Sequence, residues 1–180
     1  MGALLWITLA FGGSREQAEL ERYVEDMNAL AERQTWAGVE RNYSKILELD
    51  GVDVPRDVHL TAAAAARAQG DMAAVLDRLE RAQELKKDDE VGAWINDIRE
   101  HYAPVELRSV PPRSLALEIE EMPFEPDKRQ AVTLATQALA EDGEFTGMLP
   151  VGKYTLQGRE FEAVAGITTR VELSGRDLKE

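Results

Sequence analysis

The chain has 180 residues, enough for one ordinary domain or two small ones with their own cores. Its 34 acids against 21 bases leave a formal charge of −13, which argues against nucleic acid or an anionic lipid surface as the main partner. Cysteine is absent, which excludes disulfides, thiolate zinc sites and a cysteine nucleophile.

Residues 1–13 stand apart from the rest. Ala3–Phe11 is an uncharged apolar run, too short for a bilayer-spanning helix but of the length of a signal-peptide core. Ala10-Phe11-Gly12 supplies small residues at both cleavage-determining positions, although the usual basic segment ahead of the core is missing. A signal peptide would make the mature protein periplasmic or secreted. The competing reading is a short buried apolar N-terminus, with a cytoplasmic protein as the alternative location.

From Arg15 to Tyr102 the composition is rich in Ala, Leu, Glu and Arg and nearly free of Pro, which predicts helices. Leu20, Tyr23, Val24, Met27, Leu30 and Ala31 recur at spacings of three and four, predicting a helix over residues 16–34. Trp36, Val39, Tyr43, Ile46, Leu47 and Leu49 predict a second over residues 36–49, stopped by Asp50-Gly51. Pro55 precedes a third helix over residues 56–69, and Gly70-Asp71 turns the chain into a fourth over residues 72–85. Asp88 is suited to cap a fifth, whose apolar residues are Val91, Trp94, Ile95 and Ile98.

Beyond Tyr102 the pattern changes. Pro104, Pro111 and Pro112 with alternating apolar residues mark strands and turns up to Glu121. A helix returns over residues 126–142, and glycine-punctuated strands follow from Gly143 to Leu173. The predicted fold class is therefore α+β in two domains, a helical one over residues 15–102 and a β-rich one over residues 103–175.

An offset of 36 residues aligns Trp36 with Met72, Val39 with Val75, Tyr43 with Leu79, Ile46 with Ala82 and Leu49 with Leu85. Two helices per period in the mid-thirties is the pattern of helical-hairpin solenoids. The stretch from Gly70 through Val75 and Leu79 to Leu85, with its counterpart from Trp36 to Asp50, resembles the second half of a tetratricopeptide repeat. The first helices carry small Ala62, Ala63 and Ala66, with His59 where the family has a large aromatic. Two repeats are fewer than such arrays normally need, so the helices are expected to lean on the β domain or on another chain, which leaves room for an oligomer.

Val105 to Leu117, with its Ser109-Val110-Pro111 turn, resembles the opening of the PEGA family of small β domains. Leu149-Pro150-Val151-Gly152-Lys153-Tyr154, followed by Phe161, Gly166 and Val171, resembles its closing strands. The likeness implies a small β-sandwich. This chain departs from the family in the helix inserted over residues 126–142 and in lacking the motif that names it.

Candidates for chemistry are sparse. The two histidines, His59 and His101, fall on separate predicted helices and lack the spacing of a metal pair. None of the five serines has nucleophile-elbow context, and Gly12-Gly13-Ser14 follows no predicted strand. The acid clusters Asp88-Asp89-Glu90 and Glu118, Glu120, Glu121 lack calcium-loop spacing and read as a helix start and a solvated face. No catalytic residue, cofactor or metal is expected, and the chain reads as non-enzymatic.

The tetratricopeptide resemblance implies a concave groove lined by the first helix of each pair. By repeat phase that groove presents Val24, Asn28, Ala31 and Glu32, then Leu60, Ala64, Arg67 and Ala68. Asn28 matches a position that in the family clamps a peptide carboxylate, and Arg67 supplies a positive charge. The companion lysine is replaced by Val24. The expected function is an interaction adaptor or scaffold of the bacterial cell envelope, with a protein or peptide partner and no nucleic acid or membrane span. Two other classes stay open: a wall- or carbohydrate-binding module using Tyr154 and Phe161 as stacking rings, and an enzyme of unknown class.

Overall fold

A computed structural model describes residues 13–174. The leader expected over residues 1–13 lies, but for Gly13, outside the described residues. The fold is α+β. Five helices come first: α1 (Gly13–Glu32), α2 (Trp36–Leu47), α3 (Arg56–Gln69), α4 (Met72–Leu85) and α5 (Asp89–His101). Short connections fold successive helices back on one another, and each packs on its sequence neighbour.

The helix limits follow from local chemistry. Asp71 caps α4 by accepting a 3.0 Å hydrogen bond from the Ala74 amide, and Gly70 ends α3 at φ +82°, a conformation that disfavours a side chain. Asp88 caps α5, accepting from the amides of Glu90 and Val91, and these bonds with Arg56 hold its carboxyl below the usual carboxylate range. The Val91 bond contributes most. Asp88 thus behaves as the helix start expected from its acidic run. Its partner Arg56 Nη2, at 2.8 Å, ties the start of α3 to the start of α5.

The strands follow: β1 (Tyr102–Val110), β2 (Leu117–Ile119), then α6 (Pro126–Glu141), β3 (Glu144–Pro150), β4 (Gly152–Leu156), β5 (Arg159–Ala163) and β6 (Thr169–Ser174). They form two three-stranded sheets, in the orders β3-β1-β6 and β2-β4-β5. β1 runs antiparallel to β3 and parallel to β6, and the second sheet is antiparallel throughout. Along β1 the side chains of Val105, Leu107 and Ser109 are buried while Arg108 and Val110 are exposed, the period of a sheet with one wet face. Both sheets and α6 share one core, with Leu107, Leu139, Leu149, Tyr154, Leu156 and Leu173 at its centre.

Two further cores lie under the helices. One gathers Leu20, Met27, Val39, Ile46, Val58 and Ala62 from the first three helices. The other joins Ala66, Val75, Leu79 and Ile95 to Tyr102 of β1, Ala131 of α6 and Met148 of β3. The helices therefore do lean on the β-rich part. Of the residue pairs related by 36 positions, both members are buried for Val39 and Val75, Tyr43 and Leu79, and Ile46 and Ala82, whereas Leu85 is exposed and Leu49 half-buried.

Candidate partner-binding surface

α1 and α3, the helices expected to line a groove, are in direct contact. Val24 is half-buried and packs against the first helical core, and Leu60 is half-buried against the second. Asn28 and Glu32 are exposed on α1, as are Ala64 and Ala68 on α3. No hydrogen bond or ion pair joins Asn28 or Glu32 to Arg67 among the described residues. Val24 and Leu60 are thus mainly packing residues, and the polar positions remain available to a partner.

Arg67 is engaged elsewhere. Its Nε donates to Asp127 Oδ2 of α6 at 2.8 Å, and its guanidinium lies 5.8 Å from the Trp94 ring centroid of α5. A small cavity of about 110 Å³ opens here, walled by Arg67, Trp94, Asp97, Tyr102 and Asp127. Burial, with the Asp127 charge second, pushes the Tyr102 phenol up to about 12, so it stays a neutral hydroxyl at physiological pH.

Trp94 is the residue that periodicity misplaces. It was expected on the apolar stripe of α5 with Val91, Ile95 and Ile98, yet those three are buried and Trp94 is 54% exposed. At 100° per residue it sits at the edge of that stripe, and an indole at an edge position is the available signal for a contact residue.

The β-rich part offers two other surfaces. A cleft of about 620 Å³ runs between α4 and the first sheet, with Leu76, Pro104, Val105 and Met148 among its walls. Tyr154 points inward at 2% exposure and donates its hydroxyl to the Pro150 carbonyl at 2.7 Å. Its ring stacks on half-buried Phe161 at 5.5 Å between centroids. The expected pair of solvent-facing sugar-stacking rings is therefore not formed, because strand alternation turns Tyr154 into the core.

His59 is buried and shares a 2.9 Å hydrogen bond between its Nδ1 and the Tyr43 hydroxyl. Arg78 caps the same cluster, 4.6 Å from the Tyr43 ring centroid, with bidentate 2.6 Å bonds to Glu40 and one to the Ala62 carbonyl. This network ties α2, α3 and α4 together, and it is a packing role. Among the described residues no His, Asp or Glu cluster is arranged to hold a metal ion, and no helix is long and apolar enough to cross a membrane. Comparison of the chain with protein families, characterised proteins and solved structures gave no match.

Proposed function

We propose that this protein is a non-enzymatic interaction adaptor of the bacterial cell envelope. In this reading a tetratricopeptide-like helical module, residues 15–102, grips a protein or peptide. A PEGA-like β-sandwich, residues 103–175, docks or extends the assembly. The envelope assignment rests on the signal-like segment Ala3–Phe11.

The observation that carries the reading is the exposed Trp94 beside Arg67. Tryptophan and arginine are the residue types most enriched at the energetic centres of protein interfaces. Asp127 pairs with Arg67, so the Trp94 indole stands beside a charge-balanced Arg–Asp pair, an apolar surface with polar groups at its rim. Asn28 and Glu32 on α1 and Ala64 and Ala68 on α3 are also exposed, and in this reading they form the rest of the groove.

The test is affinity capture with the full chain from a native envelope extract, in parallel with Trp94→Ala and Asn28→Ala variants. A defined protein recovered by the natural chain and lost with Trp94→Ala supports the adaptor. Recovery that ignores Trp94 and Asn28, or retention only on purified cell-wall polysaccharide, overturns it.

A further inference from the structure

A second surface, on the first helical hairpin, carries chemistry of its own. A groove of about 510 Å³ lies along the packed pair α1 and α2. Its walls are Asp26, Ala29 and Leu30 of α1, Arg33 of the turn that follows it, and Gly38, Arg41, Asn42 and Lys45 of α2. Gly38 sets the approach of the two helices at one end, where a Cβ would stand 3.0 Å from Leu30 Cδ1.

Three cations converge on this cavity: Arg33, Arg41 and Lys45. None of them makes an ion pair among the described residues, in a protein of net charge −13 whose other arginines are largely paired with carboxylates. Lys45 also lies 5.4 Å from the Tyr23 ring centroid. Among the described residues Asp26 is the one acid of the walls, so they keep a surplus of two positive charges.

The independent observation is Asn42. It lines the cavity at 8% exposure, and its side chain has no hydrogen-bond partner among the described residues. Its amide is not sealed off but opens into the groove, where it offers its NH₂ and carbonyl to whatever enters. Amide donors and guanidinium forks together match carboxylate geometry.

We propose that the α1–α2 groove is a binding site for an acidic segment of a partner protein, taking Asp or Glu side chains on Arg41, Lys45 and Arg33, with the Asn42 amide as a hydrogen-bonding anchor. Arg41 and Lys45 lie one helical turn apart, about 6 Å. That separation suits two carboxylates on one segment better than one compact anion. The site's small positive surplus within an acidic molecule disfavours an extended polyanion, which the remaining surface repels. The site is separate from the Trp94 platform, and either can fail without the other.

The test is a titration of the full ¹⁵N-labelled chain with the blocked peptide acetyl-Glu-Glu-Ala-Glu-Glu-amide, against its all-Gln counterpart. The site predicts saturable shifts of the Asn42 side-chain amide with the acidic peptide alone. It predicts affinity weakened roughly tenfold or more in Arg41→Gln/Lys45→Gln, with unchanged circular dichroism. Lys86→Gln/Lys87→Gln, which removes exposed cations elsewhere, should bind as the natural chain does. No saturable shift at Asn42, equal shifts with the Gln peptide, or displacement of the peptide by equimolar inorganic phosphate would overturn the assignment.

Discussion

His59 sits in the helical core with its imidazole against Tyr43, and the charges that act on it are Arg81, Asp77 and Arg78 of α4. Burial is the main cause that holds its pKa below the ordinary value of 6.5, with Arg81 next. The unfolded chain therefore takes up a proton at a higher pH than the folded one. The stability tied to neutral His59 is fully present above the unfolded pKa and is lost as pH falls toward the folded value. A urea midpoint measured at pH 5.5 should lie below that at pH 7.5, and the difference should shrink in His59→Leu. An unchanged difference would assign the titration to another group. Separately, Tyr43→Phe leaves Nδ1 without its partner and should cost about 1–3 kcal/mol at pH 7.5. At this scale the sequence was informative wherever a role is local: His59 reads as a packing residue from its type and position. Arg67 was not legible as a paired residue, because Asp127 lies 60 positions away and no periodicity links them.

At the scale of elements, α3 and α4 occupy the ranges that Pro55, Gly70 and Asp71 predict, since the punctuation acts through the backbone of neighbouring residues. α1 starts earlier and α2 ends sooner than their apolar stripes suggest; Leu49 packs from beyond the helix end. The strands were visible as strands, but which strand joins which sheet and the parallel β1–β6 pairing were not. Those depend on partners distant in sequence rather than on the alternation within each strand. The glycines give a test of how tightly elements meet. Gly51 and Gly70 both have positive φ, yet a Cβ on Gly51 meets nothing within 4 Å, whereas one on Gly70 would stand 2.5 Å from the Gln130 carbonyl of α6. Gly51→Ala should therefore cost only the backbone penalty, about 1–2 kcal/mol. Gly70→Ala should lose a further ~1–3 kcal/mol, because α3 and α6 must separate. Paired denaturant melts check the difference, and equal losses would mean that the α3–α6 contact yields freely.

Across the whole molecule the question is whether the helical half and the β-rich half unfold together. The core shared by Val75, Ile95, Tyr102, Ala131 and Met148 runs through both, and the Val151 amide donates to the His101 carbonyl at 2.9 Å where α5 gives way to the sheet. Continuous apolar packing couples the stability of the parts it joins. Trp36 and Trp94, the tryptophans among the described residues, both lie on helices that precede β1, so their fluorescence follows the helical half and, through Trp94, its edge against Tyr102 and Asp127. Leu156 of β4 is fully buried in the sheet core and belongs to neither helical core. Leu156→Ala should cost about 2–5 kcal/mol through the cavity it leaves. If the shared core makes one cooperative unit, that change lowers the urea midpoint seen by tryptophan fluorescence as much as the one seen by far-ultraviolet circular dichroism. A fluorescence midpoint unmoved by Leu156→Ala would instead show two folding units that touch without coupling, and the contact at Ala131 and Met148 would then be an interface rather than a core.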